Sequence, residues 1–121
     1  MSVSASRFDT SILDHALAEK REHREALRHK TTASLRNALA SVPVQYSAVY
    51  VFGSILTPGR FHEDSDVDLA FEGLSSADYF RAKCHLENVL ERPVDVLQIE
   101  NHRLRDIISQ KGVRWTQKDM A

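Results

Sequence analysis

A chain of 121 residues, 42% of them hydrophobic, can bury one compact core and is too short for two ordinary domains. With 16 Lys and Arg against 17 Asp and Glu, it has no global charge to draw it to nucleic acid or an anionic membrane, so any phosphate binding must be local. There is no run of about 18 apolar residues for a membrane span, no apolar segment behind Met1 to Arg7, and a single cysteine, Cys84, which excludes an intrachain disulfide or a cysteine-based zinc knuckle.

The expectation is a soluble, cytoplasmic protein, with Cys84 as a small buried residue. From about Thr10 to Ala40 there is no Pro or Gly, and Ala, Leu, Glu, Lys and Arg dominate, which predicts one long helix stopped by Pro43. Leu13, Leu17, Leu27, Thr31, Leu35 and Leu39 share one face, but the stripe holds no large apolar residue between Ala18 and Ala26. That gap predicts a kink or a face awaiting a partner. Lys20, Arg21, Arg24, Arg28 and Lys30, interleaved with Glu19, Glu22 and Glu25, read as a solvated surface.

Beyond Pro43, Ala48-Val49-Tyr50-Val51-Phe52 has the β-branched and aromatic content of a buried strand and ends at Gly53. A loop with Thr57-Pro58-Gly59 follows. Val67, Leu69 and Phe71 alternate with Asp66, Asp68 and Ala70, the period of a second strand with one face toward a core. Ser75 and Ser76 offer caps for a helix through Glu91, with Tyr79, Ala82, Leu86 and Val89/Leu90 on its apolar face. A third strand runs from Pro93 to Ile99, Val94, Val96 and Gln98 facing one way and Asp95, Leu97 and Ile99 the other. Asn101 is the predicted cap of a last helix, from about His102 to Gln110, closed by Gly112, and Trp115 is a late apolar anchor. The order predicts an α/β (α+β) fold with one short mixed sheet. Residues 1–44 form an N-terminal helical extension packed on a core of residues 45–121.

The chemistry concentrates between Val51 and Leu69. A strand ending in Gly53-Ser54 exposes backbone N–H groups where a short helix can begin, and glycine admits a phosphate close to the main chain. Asp66 and Asp68, two apart on one strand, stand roughly 7 Å apart along the backbone, so their carboxylates can share a hard cation such as Mg²⁺. Asp95 on a neighbouring strand would complete a site for two ions roughly 3.5–4 Å apart. Taken singly, Gly-Ser is a turn and Asp-x-Asp a solvated strand feature. Together they differ, because aspartate is depleted in strands and three beside Val67, Leu69 and Val94 require a compensating charge.

These residues resemble the Gly-Ser and Asp-x-Asp signature of the nucleotidyltransferase superfamily that includes DNA polymerase beta. The resemblance runs from about Val49 to Trp115. It implies that Gly53 and Ser54 hold the phosphates, that Asp66 and Asp68 ligate metal, and that Asp95 is the third catalytic carboxylate. The short chain is most similar to the minimal nucleotidyltransferases that serve as antitoxins beside HEPN-type toxins, and so implies AMP transfer from ATP to a toxin tyrosine, with Mg²⁺ as cofactor. Eleven residues separate Ser54 from Asp66, a slightly longer loop than is usual there, and Ile55-Leu56-Thr57 stands where an arginine-containing stretch is common. Arg60 is the residue that can replace that arginine on a phosphate.

His62, Glu63 and Asp64 receive no role, and the other histidines lack metal-ligand spacing. The rival readings are an antitoxin that neutralises only by binding, and transfer to a small molecule, for which the chain offers no substrate domain. Direct nucleic-acid or membrane binding is not expected.

Overall fold

The computed structural model describes residues 10–120; residues 1–9 and 121 lie outside the description, and with them the start of the N-terminal extension. Helix α1 (Ser11–Ser41) runs unbroken through the gap in its apolar stripe. Strand β1 (Ala48–Phe52) leads into a 3₁₀ turn (Gly53–Leu56), and β2 (Val67–Glu72) follows. A 3₁₀ turn (Ser76–Asp78) opens helix α2 (Tyr79–Leu90). Strand β3 (Val94–Gln98) and a 3₁₀ turn (Ile99–Asn101) precede helix α3 (Arg105–Lys111), strand β4 (Val113–Thr116) and a last 3₁₀ turn (Gln117–Met120).

The sheet order is β3-β2-β1-β4, with β1 antiparallel to β2 and β4, and β2 parallel to β3. Alternation along β2 and β3 sends Val67, Leu69, Phe71, Val94 and Val96 to one face, where they are fully buried with Leu35 and Leu39 of α1 and Ala82 and Leu86 of α2. Each large side chain removed from water there contributes about 1.5–3 kcal/mol, which makes this layer the main source of stability. A smaller cluster on the opposite face, Ala70, Ile99 and Ile108, is extended by Tyr50, Phe52 and Leu97.

Sequence and structure differ at several places. Asp66 lies just before β2 rather than in it. Ser75 caps the 3₁₀ turn, its Oγ accepting from the Asp78 N–H, and Asn101 ends a 3₁₀ turn instead of capping α3. Strand β4, only four residues long, escapes the periodicity argument; it is held by pairing to β1, with Trp115 opposite Val49 and under the Arg36 guanidinium at 4.5 Å. Cys84, expected to be buried, is exposed on α2, two positions from each of the buried Ala82 and Leu86 and so turned away from their face.

The candidate active site at the end of the sheet

β1 delivers the chain to Gly53 beside β2, because Phe52 is in register with Asp68. Gly53 has φ +84°, a conformation open to glycine and costly for other residues. A side chain there would also run into the Asp68 carboxylate: an added Cβ would overlap Oδ2 and lie 3.2 Å from Cγ. Two independent constraints therefore select glycine, and their result is an acidic side chain held against bare backbone. Ser54, second in the 3₁₀ turn, is half-exposed, its carbonyl accepting from the Thr57 N–H at 3.0 Å.

Asp68 is half-buried, and burial, then Asp95 and then Asp66, push its carboxyl up to about 6. Asp95 is its direct partner in the parallel β2–β3 register, and both project to the face of Tyr50, Phe52 and Leu97. Asp66 and Asp95 are exposed. The three acids feel one another but do not close on one point: among the described residues, no three His, Cys, Asp or Glu side chains stand together tightly enough to hold an ion. Like charges with no cation between them separate into solvent when they can, and Asp68, fixed between β1 and β3, cannot. An all-carboxylate set with one strained member suits a hard cation such as Mg²⁺.

The loop from the 3₁₀ turn to Asp66 is pinned by groups that sequence reasoning assigned to solvent. Arg28 Nη1 donates to the Ile55 carbonyl at 3.2 Å, and the same guanidinium grips Glu25 through Nε and Nη2 at 3.0 and 2.9 Å. Glu25 accepts the Gly59 N–H at 2.8 Å, and Arg24 Nη1 donates to the Gly59 carbonyl at 3.3 Å. The Arg28 fork, then the Gly59 N–H, hold the Glu25 carboxyl down to about 2. At the far end Arg92 lies over Phe61 at 4.6 Å and donates to the carbonyls of Ser65, 2.8 Å, and His62, 3.3 Å. Arg21, Arg24 and Arg28 occupy stripe positions between Leu17 and Leu35, so the gap in the apolar pattern was the available signal: this face of α1 meets polar backbone. The exposed Arg60 side chain makes none of these bonds and lines the groove beside them.

The sequence pattern of the polymerase beta nucleotidyltransferase family matches residues 34–120. A solved structure described as a minimal nucleotidyltransferase is 32% identical, covering 74% of this chain and 92% of that one at a TM-score of 0.51. No curated protein matches. The family match begins inside α1, so Arg24, Glu25 and Arg28 precede it. The register that sets Asp68 against Gly53 and beside Asp95 thus stands within the matched region, and the chain belongs to the polymerase beta-type nucleotidyltransferases, in their minimal form.

Proposed function

We propose that the protein transfers AMP from ATP to a hydroxyl of another protein, a tyrosine of a cognate HEPN-type toxin, and so acts as the antitoxin of a toxin–antitoxin pair. The observation that supports this reading is the Asp68 carboxylate held against Gly53 with Asp95 in register beside it. Gly53 and Ser54 bind the triphosphate through the 3₁₀ turn, and Arg60 reaches a phosphate oxygen from the loop. Asp66, Asp68 and Asp95 would hold Mg²⁺, two ions in all, which would neutralise charge developing on the phosphates. Asp95 accepts the proton of the incoming hydroxyl as its oxygen bonds to the α-phosphorus; the bond from that phosphorus to the α–β bridging oxygen breaks and pyrophosphate departs. Exposure of Asp95 on an edge strand leaves the acceptor side open to a macromolecule.

The test is incubation of the protein, co-purified with the product of its neighbouring gene, with Mg²⁺ and α-phosphate-labelled ATP. Label on a partner tyrosine is expected. Complete absence of label on any protein with the wild type would overturn the reading, and binding without label would leave an antitoxin that acts by occupancy alone.

A further inference from the structure

The first half of α1 extends beyond the core: every described residue from 10 to 23 is exposed. Where it passes the loop that joins Ser54 to Asp66, it walls a groove of about 730 Å³ lined by Leu17, Lys20, Arg21, Arg24, Arg60 and His62, with Glu25 at its base. Glu25 is already committed to Arg28 and the Gly59 N–H. The remaining charge is four cations. Lys20, Arg21 and Arg60 have no ion-pair partner among the described residues. Arg24 Nε is shielded from water and has no acceptor, the one such buried side-chain atom among the described residues. On a chain whose total charge is −1, this is a local concentration of positive charge beside the loop that carries the chemistry.

We infer that this groove docks an acidic segment of the acceptor protein, an inference that rests on the reading of a protein acceptor. Leu17, 56% exposed, gives the groove an apolar edge, and Leu13, 55% exposed, continues it one helical turn beyond, which suits the leucine-type side chains of a peptide. No Phe, Tyr or Trp side chain lines it, so it lacks the large stacking platforms of single-strand binders, and its exposed leucine makes a polypeptide the better fit. An acidic segment seated here pairs with Lys20, Arg21 and Arg60, which are exposed and have no acidic partner among the described residues. It also brings its own chain alongside the loop whose ends hold Ser54 and Asp66.

The experiment uses the whole protein and a fluorescein-labelled, glutamate-rich peptide with leucine at every fourth position, read by anisotropy at two salt concentrations, beside a single-stranded oligothymidylate of equal charge. Salt-sensitive peptide binding is expected, weakened roughly tenfold by K20E/R21E, in which two exposed side chains outside the nucleotide site are reversed. Leu17→Ser weakens it by a smaller factor. The thermal shift produced by Mg²⁺-ATP stays the same in both variants, which separates docking from the nucleotide site. No peptide binding, equal binding by K20E/R21E, or oligothymidylate displacing the peptide would overturn the inference. Charge-dependent peptide binding by a protein that shows no Mg²⁺-ATP shift leaves docking standing and removes the transferase reading instead.

Discussion

The two faces of the sheet are made from the same strands and do opposite work. One face is closed: α1 and α2 bury Val49, Val51, Leu69, Phe71 and Val96 almost completely, and the Tyr46 hydroxyl among them donates to the Leu39 carbonyl. On the other, the short α3 covers only the part around Ala70, Ile99 and Ile108, and the strands carry Asp68 and Asp95 on the uncovered remainder. Stability is concentrated where function is absent. That division lets a small domain tolerate a cluster of like charges, since the penalty falls on a face that the core does not depend on.

Neighbouring residues of β2 provide the sharpest test of this division. Asp68→Asn should leave the fold intact and lower transfer by roughly 10³-fold or more, the loss that follows from several kcal/mol of metal-held charge stabilisation. Leu69→Ala, one residue on and facing the other way, should cost about 2–5 kcal/mol in denaturant unfolding through the cavity it leaves, while the surviving folded fraction keeps its nucleotide affinity. If the two substitutions moved stability equally, the faces would not be independent.

Gly53 is the position where both faces' demands meet, and a smaller effect is expected. Gly53→Ala combines a positive φ with overlap on the Asp68 carboxylate, so a loss of about 2 kcal/mol is expected together with impaired Mg²⁺-ATP binding. A thermal melt and the ligand-induced shift measure the two parts separately. Unaltered melting would mean that the carboxylate rotates away freely and is not held by β1 and β3.

Smaller again is the effect expected at Arg28, which touches neither face but fixes the loop between them. Arg28→Ala strands Glu25 and the Ile55 carbonyl and should lower the melting temperature slightly, less than Gly53→Ala does. Because the loop is loosened while the carboxylates stay in place, the nucleotide KM should rise more than kcat falls. Arg28→Lys should recover little, since a lysine cannot bridge Glu25 and Ile55 with a planar fork. A fall in kcat at constant KM would remove the loop-positioning role.

The closed face was legible in the sequence because its signal is periodic. Val67, Leu69 and Phe71 repeat at two, Leu35 and Leu39 at four, and both patterns survive into the structure unchanged. Gly53, Asp68 and Asp95 were legible for a different reason: glycine and aspartate are costly in strands, so their presence asks for a cause. The loop clamp left only the gap in the apolar stripe of α1 as a trace, since Arg24, Glu25 and Arg28 satisfy main-chain groups 27 to 35 residues away and look like any solvated helix surface until those partners are placed. β4 was missed because four residues are too few for a period, and its stability comes from β1.

The subtlest difference between the faces is how they respond to pH. Burial, reinforced by Asp95 and Asp66, raises the Asp68 carboxyl to about 6 from an ordinary value near 3.8. The folded state therefore holds this proton more tightly than the unfolded chain does. The stability this provides is fully present below the unfolded value and is lost as pH rises through about 6. Between those limits unfolding free energy should decline with rising pH, by on the order of 1 kcal/mol because solvent still reaches and screens the carboxylate. Asp68→Asn has no proton to lose and should flatten this slope. Asp95→Asn should shift the titration downward without abolishing it, since burial is the larger cause. Mg²⁺-ATP competes with the proton for the same oxygens, so its stabilisation should grow across the same interval. Urea unfolding of the three proteins from pH 4 to 7 decides the point: a slope unchanged in Asp68→Asn would place the responsible proton elsewhere, and the open face would then be no more strained than the closed one.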